Sequence, residues 1–263
     1  MRHHPPDADE LQTLANVLDD GAVPRPTRRR LLQGAAAGAV SVSALAAPRA
    51  LAGGRRDGES PGDILSALAT AESFGVTFLT EAVRRAPGTP SAALRDTLRA
   101  ANTAEYDHVL VLEELGGVRF TTRFWIPEAL FGGGGVGLFE SIETADTIEL
   151  QGYLTGVTAF AHRGSETAAR WLAEGCAIES EHRAIARFAQ TALGGRQQIS
   201  IDRSFAPWGI RTAAAMIAAL ESAGIGFGRQ GAAPGAFYEF PGDPVRTGAG
   251  LVNNGRRPDE PSS

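Results

Sequence analysis

Two segments of the sequence place a histidine three residues after a glutamate. They are Glu105-x-x-His108 and Glu179-x-x-His182. Residues three apart lie on the same face of an α-helix, so each pair can direct a carboxylate and an imidazole at one point. Carboxylate oxygens and imidazole nitrogens together suit iron and manganese, although geometry alone seldom selects the metal. Each segment therefore predicts half of a metal site, provided that it is helical and faces inward.

Two further segments carry a glycine at the position of the histidine. They are Glu72-x-x-Gly75 and Glu149-x-x-Gly152. A glycine inside a helix costs about 1 kcal/mol relative to alanine, so its use at two matched positions indicates that space is needed there. The chain thus contains two copies of one order, in which E-x-x-G is followed by E-x-x-H.

The elements that would carry these segments are four long helices. We predict them at about residues 63–86, 91–117, 138–162 and 165–193, with glycine or proline at their ends. Short connections join the first helix to the second and the third to the fourth, which predicts two antiparallel hairpins. The linker between the hairpins is long enough to cross the bundle from end to end. The predicted fold class is therefore all-α, a four-helix bundle that resembles the ferritin-like topology.

Each predicted helix has an inward seam at heptad spacing that is apolar or small except at its centre, where a glutamate stands. Burying a lone carboxylate costs several kcal/mol, so it must be paired, protonated or bound to a metal. For any one helix, a glutamate at the flank of the seam that reaches water is the alternative. The four central glutamates are Glu72, Glu105, Glu149 and Glu179.

Distances along the chain also place these glutamates at matched depths. Glu72 and Glu105 are about 16 and 17 residues from the first hairpin turn, and Glu149 and Glu179 are each about 15 from the second. In an antiparallel pair, equal counts mean equal heights to within about one helical turn. Four carboxylates in one core would repel each other strongly, and bound cations would remove that repulsion.

The first 55 residues have the order of regions found in a secretory signal. Three arginines (28–30) precede an apolar Ala/Gly-rich stretch (34–47), and small residues at 50–52 have the spacing of a cleavage site. Paired arginines in this position are typical of a twin-arginine signal, and the apolar stretch is too short to span a membrane. We therefore predict export by the twin-arginine machinery to the periplasm, the cell envelope or the exterior; an uncleaved anchor is the alternative.

Composition excludes other classes. The 263 residues, 43% of them hydrophobic, are enough for one good-sized domain with extensions. The net charge of −5 is too small to indicate nucleic acid as a partner. Cys176 is the single cysteine, which excludes an intrachain disulfide and a thiolate metal cluster. The predicted organisation is a signal and linker (1–55), the bundle (60–194), an extension with a strand at 199–201 and a helix at 212–223 (195–225), and an irregular or disordered tail (226–263).

With these features, the sequence resembles the exported bacterial ferritin-like domain proteins, some of which are called desiccation-related. Residues 180–184 (Ser-Glu-His-Arg-Ala) are similar to the Glu-Ala-Arg-His-Ala segment of their last helix, and residues 205–207 (Phe-Ala-Pro) resemble their C-terminal extension. The resemblance covers about residues 60–225. It implies a centre of two metal ions, iron or manganese. The ligands that it implies are Glu72, Glu105, His108, Glu149, Glu179 and His182.

The same resemblance implies roles within the centre. Glu105 and Glu179 would bridge two metals about 3.5–4 Å apart. Each histidine would bind through one nitrogen and donate from the other to an acceptor. Asp146, one turn before Glu149, is a candidate acceptor, with helix capping or solvent exposure as the alternatives. Tyr153 neighbours the ligand level, and we interpret it as a packing residue.

Two functions follow from this interpretation. The first is a redox enzyme that reacts with a small-molecule oxidant, oxygen or peroxide, in the manner of a ferroxidase or a manganese catalase. The second is a metal-binding or stress- and desiccation-protective protein of the envelope without turnover. A structural bundle with a vestigial site is a weaker third reading, because all six ligand types are present. The sequence leaves the metal, the substrate and assembly into a homo-oligomer open.

Overall fold

The structure, a computed structural model, describes residues 59–195 and 209–252. The predicted signal, the predicted strand at 199–201 and the Phe-Ala-Pro segment lie outside these ranges. Among the described residues, helices predominate and a small antiparallel sheet is added to them. In this part of the chain no helix is both long and apolar enough to cross a membrane.

Five α-helices form the described structure, and four of them are long. The prediction of four long helices and a shorter fifth is confirmed, with one difference at the start of the second. There, residues Pro90–Leu94 form a 3-10 turn before the α-helix begins, and a second 3-10 segment, Glu128–Gly134, follows the crossover strand. The α-helices are α1 (Pro61–Arg85), α2 (Arg95–Glu114), α3 (Val136–His162), α4 (Glu166–Ala192) and α5 (Ala213–Ser222).

Helix α1 begins at a capping box. The Ser60 hydroxyl accepts a hydrogen bond from the Asp63 backbone N–H at 3.1 Å, and the Asp63 carboxylate accepts one from the Ser60 N–H at 3.2 Å. Pro61 occupies the first helical position, where its missing N–H costs nothing. These residues fix where α1 starts and therefore the height of every side chain along it.

The long helices pair antiparallel, as the short connections predicted. Between α1 and α2, the Asn102 amide donates to the Thr80 hydroxyl at 3.0 Å, while the later residue Gly117 of the α2 end lies against the earlier residue Leu65. Between α3 and α4, contacts run in opposite directions in the same way. There Arg187 bonds Glu143 at 2.6 Å, and a Cβ at Gly175 would meet Tyr153.

The two pairs also pack on each other. A Cβ at Gly152 of α3 would meet Leu68 of α1, and one at Gly156 would meet Ile64. Thus α1 and α3 are antiparallel neighbours. Because α1 is antiparallel to both α2 and α3, these two helices run in the same direction. The segment between the pairs, residues 118–136, must therefore run from one end of the bundle to the other, as predicted for the crossover.

A three-stranded antiparallel sheet was not predicted. Strand β1 (Arg123–Pro127) lies in the crossover, between β2 (Gly226–Phe227) and β3 (Gly235–Glu239). Trp125 of β1 pairs with Gly226 on one side and Phe237 on the other. The prediction of an irregular or disordered tail from residue 226 is therefore wrong for both of these strands, because the tail pairs with a crossover more than a hundred residues earlier.

Aromatic packing explains why the tail is ordered. Phe124 is fully buried, and its ring meets the Phe227 ring edge-on at 5.9 Å. Both rings also contact Phe74 of α1, at 6.1 and 6.3 Å between centroids. The sheet thereby covers the outer side of α1 and joins the C-terminal strands to the bundle.

Helix α5 packs into space left by a glycine on α3. A Cβ at Gly152 would overlap the Met216 sulphur and come within 3.3 Å of a Leu68 methyl, and Met216 is fully buried. The N-terminus of α5 is held in place by the Glu59 carboxylate, which accepts from the Ala213 and Ala214 N–H groups at 2.7 Å each. The C-terminal extension is thus part of the core.

We expect Gly152→Ala to lower the free energy of unfolding by about 1–3 kcal/mol, the usual cost of overpacking a core. Gly62→Ala is the matched control, since a Cβ there meets only the Ser60 hydroxyl oxygen, at 3.9 Å. Urea denaturation of both variants measures the difference. In a Met216→Ala background the cost of Gly152→Ala should shrink; equal costs in both backgrounds would contradict the assignment of this space to Met216.

Candidate metal centre

The six predicted ligand side chains lie in the middle of the four long helices, and all are buried. None exposes more than 7% of its surface. This excludes the alternative in which the glutamates sit at the flanks of the helices and reach water. The two histidines are the least deeply buried members. The exposed fractions are 0% for Glu72 and Glu179, 1% for Glu149, 2% for Glu105, 6% for His108 and 7% for His182.

His108 lies among glutamates from three helices. Its Nδ1 atom is 3.3 Å from Glu72 Oε2 and 3.2 Å from Glu179 Oε1. The Oε2 atom of Glu105, three residues earlier on the same helix, is 3.8 Å away. The E-x-x-H spacing on α2 therefore directs both side chains at one point, as the sequence predicted.

His182 has the corresponding position on α4. Its Nδ1 atom is 3.2 Å from Glu105 Oε1 and 4.0 Å from Glu179 Oε2. Each histidine thus faces the glutamate of the other E-x-x-H segment, and Glu105 and Glu179 lie beside both imidazoles. The two imidazole rings are 6.4 Å apart between centroids. Antiparallel packing of α2 on α4 explains this crossed arrangement.

The side chains form two groups that could hold a cation, because one ligand atom from each member lies within 4.8 Å of the others. The first group is Glu72, Glu105, His108 and Glu179; the second is Asp146, Glu179 and His182. The two groups share Glu179. Of the predicted ligands, only Glu149 belongs to neither group, although it is buried on α3 one turn after Asp146.

The sequence analysis left three alternatives for Asp146: an acceptor for a histidine, a helix cap, or a solvent-exposed residue. Asp146 is 4% exposed, so the alternative of solvent exposure is wrong. The alternative of helix capping is wrong too, because Asp146 lies ten residues inside α3. One signal in the sequence could have found it: Asp146 and Glu149 have the same i, i+3 spacing as the two E-x-x-H pairs.

Many polar atoms of these side chains have no hydrogen-bond partner. Buried polar groups in proteins are nearly always hydrogen-bonded, so a cluster of exceptions needs a reason. Two close contacts given above lack hydrogen-bond geometry. They are the contact of His182 Nδ1 with Glu105 Oε1 and that of Glu179 Oε1 with His108 Nδ1. The buried atoms without a hydrogen bond are Glu72 Oε1, Glu105 Oε2, Asp146 Oδ2, Glu149 Oε1, both Glu179 oxygens, His108 Nε2 and His182 Nδ1. This set of oxygen and imidazole donors fits a metal ion.

Burial and crowding alter the acidity of the cluster. Desolvation, then repulsion from Glu72, raises the pKa of Glu105 to about 7. Desolvation and neighbouring carboxylates raise the pKa of Glu149 and of Glu179 well above its ordinary range. Desolvation lowers the pKa of His108, which keeps its imidazole neutral and able to bind a metal. Without a cation, the carboxyl groups hold protons at pH values where a carboxyl group is normally ionised.

The two glycines of the E-x-x-G segments leave space for different side chains. A Cβ at Gly75 would lie 3.2 Å from Glu105 Oε2, so this glycine leaves room for a ligand carboxylate. At Gly152, in contrast, the space is taken by Met216 of α5. The prediction that space is needed at both positions is confirmed, but only the first position leaves that space to the cluster.

Tyr153 adds a contact that the sequence analysis treated as packing alone. The ring lies edge-on to the His108 imidazole at 5.7 Å, and burial together with the nearby Glu72 and Glu179 carboxylates raises the pKa of its hydroxyl well above the ordinary range. A Cβ at Gly175 would come within 2.6 Å of the ring, so the glycine allows the ring to reach the cluster. Tyr153 therefore covers His108 and places its hydroxyl near the Glu72 carboxylate.

Comparison with known proteins adds no relative to these observations. No protein-family model, no curated protein and no solved structure matches the chain. Any functional conclusion therefore rests on the geometry of the cluster.

We expect the metal-free chain to lose stability as the pH rises from about 4.5 to about 7. A carboxyl group whose pKa is raised in the folded state binds its proton more tightly there than in the unfolded chain. Its stabilising contribution is therefore complete below the unfolded value and is lost as the pH rises through the folded one. For Glu105 this window runs from 4.5 to about 7. The lowered pKa of His108 acts in the opposite direction, but the raised carboxyl groups outnumber it.

Urea denaturation of the chelator-treated chain across this pH range measures the effect. Glu105→Gln is the control, because it removes one raised carboxyl group and should reduce the slope of stability against pH. Stability that increases steadily from pH 4.5 to 7 would show that the cluster is not protonated in the metal-free fold.

Proposed function

We propose that this chain is a ferritin-like protein that binds two metal ions, iron or manganese, among its four long helices. One observation carries the proposal: carboxylates and imidazoles from all four helices converge in one buried cluster, and many of their atoms have no hydrogen-bond partner. In its ionised form such a cluster destabilises a folded core unless cations offset its charge. Two divalent ions would offset most of it.

The arrangement of the helices supports the ferritin-like part of the proposal. Both hairpins are antiparallel, α1 packs antiparallel on α3, and a long segment separates α2 from α3. Ferritin-like metal proteins use one glutamate from each of two helices and a Glu-x-x-His pair from each of the other two. The order of Glu72, Glu105–His108, Glu149 and Glu179–His182 along this chain has the same form.

The side chains of the cluster would divide the work of holding the ions. Glu105 and Glu179 are the candidate bridging carboxylates, since each lies beside both imidazoles. His108 and His182 would bind through a neutral nitrogen, and the Tyr153 ring would hold the His108 imidazole in its orientation. The surrounding core excludes water, which strengthens each of these interactions.

Iron or manganese held by oxygen and nitrogen ligands supplies redox chemistry with oxygen or peroxide. We infer that the chain is an oxidoreductase of this kind, exported in folded form by the twin-arginine machinery and active in the periplasm, the envelope or outside the cell. Export of a folded chain would suit a centre whose metal is inserted beforehand.

A second candidate function is metal binding or stress protection without turnover. The burial of the cluster favours it, because none of the ligand side chains is more than 7% exposed. A small oxidant such as oxygen or peroxide needs only a narrow path, whereas a larger substrate needs an open position beside the ions. The two candidates therefore differ in whether the metal-loaded centre consumes oxygen or peroxide.

Metal binding and turnover can be measured on the same sample. We expect the full chain, dialysed against iron(II) or manganese(II) and then against buffer, to retain two ions per chain and to consume oxygen or peroxide. The Glu105→Gln/Glu179→Gln variant should bind metal more than about 100-fold more weakly, since it removes both shared ligands. Glu174→Gln is the matched control on α4, because its carboxylate forms only a surface pair with Arg170.

The outcomes separate the candidates. Two ions with turnover establish a redox centre, and two ions without turnover favour the binding or protective function. A wild-type chain that retains no metal under either condition would overturn the proposed centre and leave a helical bundle with a protonated core.

A further inference from the structure

The two groups of candidate ligands are unequal. The first group takes side chains from α1, α2 and α4, whereas the second takes Asp146 from α3 and the pair Glu179 and His182 from α4. Helix α3 thus enters the cluster through Asp146, one turn before the glutamate that the sequence pattern selects. The difference has a geometric origin in how α3 lies along α4.

Contacts between the two helices show which residues of α3 reach the level of His182. Glu143 lies opposite Arg187, at 2.6 Å between Oε1 and Nε, and Tyr153 lies opposite Gly175. Because the helices are antiparallel, His182 falls opposite residues 147–148, between Asp146 and Glu149. Either side chain could point at its imidazole from α3, and the structure brings Asp146 to it.

The surroundings of Asp146 do not satisfy it by themselves. Arg183 of α4 is buried and attracts the carboxylate, whereas Glu72, Glu105 and Glu143 repel it. Attraction to Arg183 therefore offsets part of the cost of burying the Asp146 carboxylate. The Oδ2 atom is nevertheless buried without a hydrogen-bond partner, and the side chain is 4% exposed. An oxygen in this state, within 4.8 Å of a ligand atom of Glu179 and of His182, is placed to bind a cation.

We propose that Asp146 is a metal ligand of the centre, on the His182 side, with Glu149 as a carboxylate behind it. This inference rests on the proposed metal centre and changes its ligand set. With Glu105 and Glu179 shared, each ion would have three carboxylates and one imidazole, but the ion on the His182 side lies next to the positive charge of Arg183. The two ions therefore bind with different affinities, and the His108 side fills first.

Asp146→Asn is the substitution that tests this role. Asparagine keeps the size of the side chain and an oxygen that can accept a hydrogen bond, but it removes the negative charge of the ligand. If Asp146 only oriented the imidazole of His182, asparagine would preserve that function. Glu149→Gln makes the same chemical change one turn along α3, and Glu174→Gln controls for the loss of a surface carboxylate. Asp146→Glu restores a carboxylate.

The experiment is a titration of the full chain and its variants with cobalt(II), followed by absorption and by metal analysis after dialysis. We expect the wild type to bind two ions in two steps. Asp146→Asn should keep the first step and weaken the second by at least about tenfold, whereas Glu149→Gln should change both steps less than that. Asp146→Glu should recover part of the second step. Circular dichroism checks that each variant is helical.

The possible failures are distinguishable. A wild-type chain that binds no ion overturns the metal centre itself. Two unchanged steps in folded Asp146→Asn leave the centre standing and overturn the role of Asp146, as does a second step lost in Glu149→Gln alone. Should Asp146→Asn not fold, wild-type chain labelled with ¹³C at the aspartate carboxyl carbons and titrated with zinc(II) replaces it. An aspartate signal must then shift with the second ion, and no shift overturns the inference.

Discussion

Electrostatic repulsion among buried carboxylates is the constraint on which the rest of this structure depends. Five carboxyl groups and two imidazoles from four helices lie in one core, nearly out of reach of solvent. Arg183 is a buried positive charge beside one of them, Asp146. The cluster can persist only by holding protons or by holding cations. Protonation removes the charge but leaves oxygens and imidazole nitrogens without a partner. Bound cations would both offset the charge and provide a partner for these atoms.

The packing of the helices follows from what must fit at this level. Gly75 leaves space for the Glu105 carboxylate, and Gly175 leaves space for the Tyr153 ring that covers His108. These two glycines lower the helical preference of their segments by about 1 kcal/mol each relative to alanine. Their position beside the cluster indicates that close approach of the helices compensates for that loss.

Much of the cluster could be predicted from the sequence because it depends on local spacing. Heptad position and the distance of each glutamate from the turn of its own hairpin predicted that Glu72, Glu105 and Glu179 face one core at matched depths. Neither quantity depends on the details of side-chain packing. The choice between Asp146 and Glu149 could not be predicted, since the two lie one turn apart and a small shift of α3 along α4 decides between them. The sheet was missed for a different reason. Its strands are short, and β1 pairs with partners about a hundred residues away, which no local pattern records.

The C-terminal part of the chain completes the core around the cluster from three directions. Helix α5 places Met216 against Gly152 of α3, and β2 places Phe227 against Phe74 of α1. Residues 249–251 bond to α2, where the Asn102 amide donates to the Ala249 carbonyl at 2.9 Å. Each of these contacts holds a helix that carries a member of the cluster, close to the level of that side chain. The relative positions of the cluster residues therefore depend on residues that lie far from them in the sequence, and a bundle shortened after α4 would lose these three contacts at once.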